Sequence, residues 1–131
     1  MQFDNNPPAP RYWFRGPTAP EADPGRETRR METFTNDGLS FDVRDAGPRR
    51  ADADRTVVLL HGFPQSPSAW DAVVPLLHEA GIRTLAPALR GYTSGARPAG
   101  SRAYRIERLV GDVFALLNHA GADSAHVVGH D

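Results

Sequence analysis

Short apolar runs alternate with helix-like patterns along most of this chain. The segments Glu32–Thr35 and Leu39–Arg44 are predicted strands, and Asn36-Asp37-Gly38 between them is a hairpin-turn signal. Thr56–Leu60 is a continuous run of apolar and β-branched residues, which is typical of a strand buried on both faces in a parallel sheet. Later strands are predicted over Ile82–Pro87 and Ala125–Gly129.

Two segments between these strands predict helices. The first covers Ser68–Ala80, where Pro75 is expected to kink the helix or split it into two pieces and Gly81 to end it. The second covers Ala103–Ala120, ends at Gly121 and follows a loop rich in glycine and proline. The apolar face is formed in the first helix by Trp70, Val73, Val74 and Leu77, and in the second by Ile106, Leu109, Val110, Val113, Leu116 and Leu117.

The order of these elements predicts a fold class. Hairpin, strand, helix, strand, helix and strand in succession imply an α/β protein, with a mostly parallel sheet and helices on its faces. Residues 1–30 show neither the two-residue period of a strand nor the 3.6-residue period of a helix, and they are rich in proline. They are therefore predicted to be a disordered extension before a folded part at 31–131. The alternative is a short arm packed by Tyr12, Trp13 and Phe14. Because Met31 directly precedes the first strand, translation from that residue would remove the extension.

Composition excludes several classes of function. The net charge is −1, with 40% hydrophobic and 24% charged residues, which fits a soluble globular protein and gives no sign of a nucleic-acid or membrane partner. There are no cysteines, so disulfides, thiolate chemistry and cysteine-bearing zinc sites are excluded. A chain with neither cysteine nor a secretory signal is expected in the cytoplasm. No cofactor is implied, and the oligomeric state stays open.

The sequence His61-Gly62-Phe63-Pro64 directly follows the predicted buried strand. Ligands bind at the carboxyl edge of open α/β sheets, and a glycine there lets the backbone turn sharply. The amide N–H of Phe63 is then free to point into a site, where it can stabilise a developing oxyanion. The same four residues also suit an ordinary strand-to-loop turn, so this motif alone does not decide between the two.

The last predicted strand leads into Gly129-His130-Asp131. A glycine, any residue and then a nucleophile form the first half of a nucleophile elbow, in which a strained strand-to-helix turn exposes the nucleophile above the sheet. Only small residues fit beside such a turn, as Gly129 does. The alternative is a chance occurrence of these three residues. The two motifs together are a stronger signal, because the strands and helices between them have the order that brings both to one edge.

With both motifs in place, Thr56–Asp131 resembles the α/β-hydrolase family and, within it, the epoxide hydrolases. The resemblance covers roughly residues 31–131 and corresponds to the first part of the family's catalytic domain. Ala88 and Thr93 depart from the acidic residue and the glycine that the family usually has there, which affects the local loop and not the fold. The matching segments are H-G-F-P-Q-S followed by Trp70, Arg90-Gly91-Tyr92, Y-R-I-E-R-L-V-G-D-V at 104–113 and V-V-G-H-D at 127–131.

The resemblance implies roles for the residues of both motifs. In the family, the residue at Phe63 donates its backbone N–H to the oxyanion hole, a second donor follows the nucleophile, and the proline at Pro64 often follows a cis bond. Gly62 and Gly129 are part of the same supporting turns. His61 and His130 are expected to support the elbow and not to act as bases, because the family's catalytic histidine comes much later in the chain.

Aspartate at the nucleophile position indicates a particular reaction. A carboxylate is already ionised at neutral pH, so Asp131 would attack a saturated carbon without a base and form an alkyl–enzyme ester. Water activated by a histidine would then cleave this ester. Epoxides and alkyl halides contain such carbons. The expected partner is therefore a small-molecule substrate, and the expected enzyme is an epoxide hydrolase or a dehalogenase rather than a lipase.

The remaining candidate residues are expected to be structural. His78, His119 and His126 lie on helix or strand surfaces by pattern, and no group of histidines and carboxylates has metal-ligand spacing. The family takes its epoxide-activating tyrosines from a lid domain inserted further downstream. Tyr92 and Tyr104 are therefore not expected to take part in the reaction.

Alternative functions remain open. The preferred hypothesis is a fragment of an epoxide hydrolase-like enzyme, inactive alone because the catalytic histidine, the acid and the lid are absent. The second is a fragment of a haloacid or haloalkane dehalogenase, which the H-G-F-P-Q segment also resembles. The third is a non-catalytic remnant that kept the half-fold for binding. In such a fragment the last strand would be an exposed apolar edge, so poor solubility is expected.

Overall fold

The computed structural model describes residues 30–48 and 55–131. In these ranges the chain forms a five-stranded sheet covered by helices on both faces. Apart from Arg30, the predicted extension at 1–30 and its alternative arm lie outside the described residues. The strands are β1 (Thr33–Asn36), β2 (Leu39–Ala46), β3 (Thr56–Leu60), β4 (Arg83–Pro87) and β5 (His126–Gly129), and the helices are α1 (Val74–Glu79) and α2 (Ile106–Ala120).

The predicted hairpin is present, and the conformation of its turn explains its sequence. Strands β1 and β2 pair in antiparallel fashion, with Asn36 opposite Leu39. Asp37 and Gly38, the two residues between them, have φ angles of 51° and 73°. Aspartate and glycine enter this left-handed region more readily than most residues, so the Asp-Gly pair closes a tight turn here.

The strand order in the sheet is β1-β2-β4-β3-β5. Strand β2 runs antiparallel to β4, whereas β4, β3 and β5 are parallel, as the alternation of strands and helices predicts. The register sets Leu60 of β3 opposite Gly129 of β5, so these two strands end at the same level. The predicted α/β class is confirmed, and the sheet is mixed because the hairpin adds its antiparallel strands.

The first predicted helix is split, as expected from its proline. A turn of 3-10 helix covers Pro67–Trp70, and α1 starts only at Val74, with Pro75 in its first turn, where the missing N–H costs no hydrogen bond. Gly81 follows the helix with a φ of 78°. Val73, which the sequence pattern places on the apolar face of this helix, is 38% exposed, because it lies at the break between the two pieces.

The second helix begins later than predicted and buries only part of the predicted apolar face. Residues 101–104 form a separate 3-10 turn, α2 starts at Ile106, and Gly121 ends it with a φ of 64°. Ile106 and Val110 belong to the predicted apolar face but are 67% and 46% exposed. The start of the predicted face is therefore exposed, whereas Val113, Leu116 and Leu117 of the same face pack in the core, as predicted. The buried residues of α2 are Asp112, Leu116 and Ala120.

Two apolar clusters lie on opposite faces of the sheet. Side chains alternate along a strand, so Val58 of β3 belongs to one cluster while Val57 and Leu59 belong to the other. Helix α2 covers the larger cluster, and α1 with the turn at Trp70 covers the smaller one. The buried members of the larger cluster are Phe34, Phe41, Val43, Val58, Leu85, Ala96, Leu116 and Ala120, and those of the smaller one are Val57, Leu59, Trp70 and Ala86.

Strand β5 forms one edge of the described sheet. It pairs with β3 on one side, and all of its residues are exposed, including Val127 and Val128. The outward side of α2 adds further exposed apolar residues, among them Phe114. No helix within residues 30–48 and 55–131 combines the length and the apolar character that crossing a membrane requires.

Candidate active site

The carboxyl ends of β3 and β5 bring the two sequence motifs together. The N–H of His130 donates to the carbonyl of Leu60 over 3.4 Å, which extends the pairing beyond Gly129. The residues that follow are in contact, because a Cβ built on Gly62 would lie 2.7 Å from the carbonyl carbon of Asp131. The turn predicted to stabilise an oxyanion and the predicted nucleophile thus lie at one edge of the sheet.

Glycine is needed at position 62 for a reason that differs from the predicted one. Gly62 is not among the glycines with positive φ, so the turn itself does not demand a glycine. A Cβ on Gly62 would, however, come within 2.8 Å of the carbonyl oxygen of His130 as well as touching Asp131. The close approach of the end of β5 therefore excludes a side chain. Gly129 has more room, since a Cβ there would lie 3.4 Å from the Cβ of Leu60, an ordinary contact.

The peptide group between Gly62 and Phe63 is held by its carbonyl oxygen. This oxygen accepts the N–H of Gln65 at 2.9 Å and the Nδ1–H of His61 at 3.1 Å. The carbonyl and the N–H of a trans peptide point in opposite directions, so fixing one fixes the other. Within the described part of the chain, the Phe63 N–H has no recorded acceptor and stays available to a ligand.

His61 is only 2% exposed, and both of its ring nitrogens are engaged. Nε2 accepts the backbone N–H of Leu89 at 3.1 Å, which assigns the ring proton to Nδ1, the donor to Gly62. Tyr92 packs edge-on against the ring, with 4.6 Å between centroids. Since neither nitrogen is free, His61 in this geometry cannot take a proton from water.

The other predicted site residues surround the same groove. The side chain of Phe63 is 81% exposed, and its bond to Pro64 is cis, as the resemblance implied. His130 is exposed and packs edge-on against Trp70, with 5.2 Å between centroids, and Asp131 is exposed beside it. The groove has a volume of about 500 Å³ and is lined by Leu60, His61, Gly62, Phe63, Leu89, Tyr92, Gly129, His130 and Asp131.

The residues expected to be structural lie away from the reacting groups, with one exception. Tyr92 lines the groove, whereas the hydroxyl of Tyr104 donates to a backbone carbonyl at 2.9 Å. His78 hydrogen bonds to a threonine of β4, and His119 and His126 are exposed. Among the described residues, no group of three or more histidines and carboxylates is arranged to hold a metal ion.

A charged cluster beside the groove was not predicted from the sequence. The buried guanidinium of Arg90 donates to both carboxylate oxygens of Asp112, from Nε at 2.8 Å and from Nη2 at 2.7 Å. Asp37 in the hairpin turn accepts from Arg90 at 3.3 Å and from Arg108 at 2.9 Å. The sequence did contain a signal, because Asp112 lies between Leu109 and Leu116 on the apolar face of a helix. A charge in that position requires a buried partner.

The members of this cluster stabilise each other's charges. The hydrogen bond from Arg108, joined by the charges of Arg108 and Arg90, holds the pKa of Asp37 below its ordinary value of 3.8 in spite of partial burial. The hydrogen bond to Asp112 raises the pKa of Arg90 above its ordinary value, against the opposing effect of burial.

The fold and its two motifs match those of a known protein family. A family profile described as alpha/beta hydrolase fold matches residues 55–131. The chain therefore belongs to the α/β-hydrolase family, which agrees with the strand order and with the two motifs at the edge of the sheet.

Several similar proteins are named as epoxide hydrolases. Epoxide hydrolase B of Mycobacterium tuberculosis (strain ATCC 25618 / H37Rv) is 49% identical over 75 residues, which cover 57% of this chain and 21% of that protein. Epoxide hydrolase A of the same strain is 39% identical over 107 residues, or 82% of this chain and 32% of that protein. The crystal structure of epoxide hydrolase A from Mycobacterium thermoresistibile matches with a TM-score of 0.67 and 39% identity, covering 79% of this chain and 30% of that one.

The chain thus corresponds to about a third or less of the length of these relatives. Over that part it is an epoxide hydrolase-like α/β hydrolase, and the predicted resemblance is confirmed.

Proposed function

We propose that this chain supplies the nucleophile and one oxyanion donor of an enzyme that opens small epoxides. The observation that carries the proposal is the backbone contact between Gly62 and Asp131, beside a groove lined by both Phe63 and Asp131. The names of the relatives support an epoxide as the substrate. The proposal concerns an enzyme in which these residues act together with groups that the 131 residues do not contain.

In the first proposed step, a carboxylate oxygen of Asp131 attacks a saturated carbon of the epoxide. The bond between that carbon and the epoxide oxygen breaks, and its electron pair goes to the oxygen, which takes a proton from an acid outside these residues. The product is an ester that joins Asp131 to the substrate. An ionised carboxylate performs this step without a base, which is the chemical reason for an aspartate at this position.

In the second step, water adds to the side-chain carbonyl carbon of the Asp131 ester. Negative charge develops on the carbonyl oxygen, and the free N–H of Phe63 is the proposed donor to it, a contribution of roughly 3–4 kcal/mol for one preorganised donor. The bond to the alkyl oxygen then breaks, and this oxygen takes the proton that the base removed from water. The diol leaves, and the carboxyl group of Asp131 releases its remaining proton and is a carboxylate again. The base that activates the water is proposed to come from outside these residues, because both nitrogens of His61 are engaged.

The 131-residue polypeptide alone is therefore proposed to be inactive. It offers a nucleophile and a donor, but the buried histidine at the groove, His61, has both ring nitrogens engaged in hydrogen bonds. The measurement is diol formation from an epoxide by the purified 131-residue chain. Turnover above the uncatalysed rate would contradict this part of the proposal.

The role of Asp131 is tested in a chimera. Residues 55–131 replace the matching segment of the M. tuberculosis epoxide hydrolase B, and a single turnover is run in water enriched in oxygen-18. If Asp131 is the nucleophile, the new oxygen of the first diol comes from its carboxylate and is light, and the heavy oxygen is found in Asp131 afterwards. Heavy oxygen in the first diol would indicate direct attack by water.

Substitutions in the chimera complete the test. Asp131→Asn should lower kcat by roughly 10⁴-fold or more, as loss of a nucleophile does in comparable enzymes. Asp123→Asn makes the same chemical change at an exposed loop position outside the groove and should leave kcat unchanged. Equal rates for the two variants would remove Asp131 from the mechanism.

The two alternative functions give different outcomes in solution. A haloalkane or haloacid dehalogenase uses the same attack by aspartate, except that a halide leaves instead of the epoxide oxygen. Halide release from such substrates, without diol formation from epoxides, would transfer the assignment to that class. A non-catalytic binding protein would form no ester with either substrate, and intact-mass measurement during turnover would show no adduct on Asp131.

A further inference from the structure

We propose that the buried ion pair of Arg90 and Asp112 positions the oxyanion turn, acting on it through Leu89 and His61. The connected groups from Asp112 through Arg90, Leu89 and His61 to the carbonyl of Gly62 are called the relay below. The importance of its end point, the Phe63 N–H, rests on the proposed function. The coupling along the relay is a property of the described residues and can be measured without catalysis.

One end of the relay is anchored in the core. The side chain of Arg90 is 3% exposed, its fork donates to both oxygens of Asp112, and its Nη1 donates to the carbonyl of Ala103 at 3.1 Å. The guanidinium also lies over the ring of Phe41, 5.8 Å from its centroid. A guanidinium held by two parallel hydrogen bonds has a fixed orientation. Because Asp112 is in the middle of α2 and Arg90 follows β4, the pair fastens the loop to the helix.

The loop transmits this position to the histidine. Leu89 is the neighbour of Arg90 in sequence, and its N–H donates to Nε2 of His61 at 3.1 Å. The same ring then donates through Nδ1 to the carbonyl of Gly62 at 3.1 Å. A ring that accepts on one side and donates on the other is held in one tautomer and one orientation. A displacement of Leu89 would therefore release the ring from the Gly62 carbonyl.

The other end of the relay is the oxyanion turn. The Gly62 carbonyl is held jointly by His61 and by the N–H of Gln65 at 2.9 Å. With the histidine released, the carbonyl keeps only the hydrogen bond from Gln65, so the peptide between Gly62 and Phe63 is less tightly fixed and the direction of the Phe63 N–H varies with it. Arg90 and Asp112 do not line the groove. They are positioning residues, whose effect on the reaction would pass through His61.

The chain contains a closely matched control for this ion pair. Arg83 donates to both oxygens of Asp45, from Nε at 2.8 Å and from Nη2 at 2.7 Å, and its Nη1 donates to the carbonyl of Ala120 at 3.1 Å. The Arg83 pair closely resembles the Arg90 pair in its hydrogen-bond geometry, in the burial of its carboxylate and in its third hydrogen bond. The Arg83 pair joins β2, β4 and the end of α2, and among the described residues no hydrogen bond connects it to the loop at Leu89.

The test measures amide hydrogen exchange in the full 131-residue chain, at low micromolar concentration and with single-residue resolution. The reporters are the N–H of Leu89, which binds His61, and the N–H of Gln65, which binds the Gly62 carbonyl. Asp112→Asn should accelerate exchange at both reporters by about tenfold relative to the β3 amides, the scale of one lost hydrogen bond. Asp45→Asn should change the exchange rates of both reporters only as much as it changes the exchange rates of the β3 amides.

A second variant covers the case in which Asp112→Asn unfolds the chain by leaving the Arg90 charge with only its longer bond to Asp37. Arg90→Met combined with Asp112→Leu removes both charges and fills the space with apolar side chains, a replacement that buried pairs generally tolerate. Because the fork is lost, this variant should show the same acceleration at Leu89 and Gln65. Unchanged reporters in the double variant, or equal acceleration by Asp45→Asn, would overturn the relay.

The outcome is separable from that of the proposed function. If Asp131→Asn leaves the chimera active while the reporters respond as stated, the proposed reaction fails and the relay stands. If the oxygen-18 result supports Asp131 while the reporters do not respond, the relay alone fails.

Discussion

The backbones of Gly62 and Asp131 lie so close together that a Cβ at position 62 would be 2.7 Å from the carbonyl carbon of Asp131. This contact follows from the parallel pairing of β3 with β5, in which Leu60 and Gly129 stand opposite each other and both strands end at the same level. Position 62 is therefore a direct probe of the site. Any side chain there must displace either the turn or the residue proposed as the nucleophile.

Substitution of Gly62 by alanine should accordingly destabilise the chain. The new methyl group meets backbone atoms, which cannot move aside as a flexible side chain can, and overpacking of this kind costs about 1–3 kcal/mol. Gly129→Ala is the matched control, because its methyl group would make only an ordinary contact with Leu60, and it should stay within about 0.5 kcal/mol of the parent. Urea unfolding of the two variants measures the difference, and equal free energies of unfolding would contradict the close contact.

Much of this geometry is predictable from the sequence. The apolar run at Thr56–Leu60 matches β3 at both ends, and the Asp-Gly turn of the hairpin occurs where its residues predict it. Local patterns succeed here because the backbone conformation of a short strand or a tight turn depends mainly on neighbouring residues. The meeting of the two motifs also follows from local information, since the carboxyl ends of adjacent parallel strands share an edge.

The buried face of α2 and the charged cluster were harder to predict from the sequence. Periodicity identifies an apolar face, but α2 has more apolar residues than one face can hold, so only packing against the sheet decides that Leu116 is buried and Ile106 is not. The pairing of Arg90 with Asp112 and Asp37 depends on three elements that are distant in sequence. The buried Asp112 indicated that a partner was needed, but not which residue it was.

The two sides of α2 give a second prediction. Leu116 is fully buried in the larger cluster, so Leu116→Ala should lower the free energy of unfolding by about 2–5 kcal/mol through lost burial and the cavity left behind. Val110, which the sequence pattern assigns to the same face, is exposed. Val110→Ala should therefore change the free energy of unfolding by no more than about 0.5 kcal/mol. Chemical unfolding measures both, and a Val110→Ala loss as large as that of Leu116→Ala would restore the face predicted from the sequence.

The exposed edge of the sheet gives a third prediction, about association of the 131-residue chain. Strand β5 has one described partner and carries Val127 and Val128 on its exposed surfaces, and apolar strand edges of this kind promote pairing between molecules. Val127→Lys should keep the chain monodisperse to a higher concentration, because a charge on an edge strand opposes such pairing. Dynamic light scattering over a concentration series measures this. Ser101→Lys adds the same charge at an exposed turn, so an equal gain from that control would assign the effect to net charge and not to the edge.

The last prediction concerns the acid limb of the stability curve and the carboxylate of Asp37. Its pKa in the folded chain lies below the ordinary value of 3.8, chiefly because of the hydrogen bond from Arg108 and with a further contribution from Arg90. A carboxylate whose folded pKa is depressed contributes stability that is fully present above its unfolded pKa and is lost as the pH falls through the folded value. Asparagine tolerates the left-handed conformation of this turn, so Asp37→Asn removes the charge without disturbing the backbone.

The difference in free energy of unfolding between the parent and Asp37→Asn should therefore be constant near neutral pH and shrink below about pH 3.8, the ordinary value for aspartate. Added salt should reduce the same difference, since Asp37 is partly exposed and its ion pairs are screened. Denaturant unfolding across the acid range provides the measurement, and a difference that stays constant down to acid unfolding would show that Asp37 has no charge-dependent role in the fold.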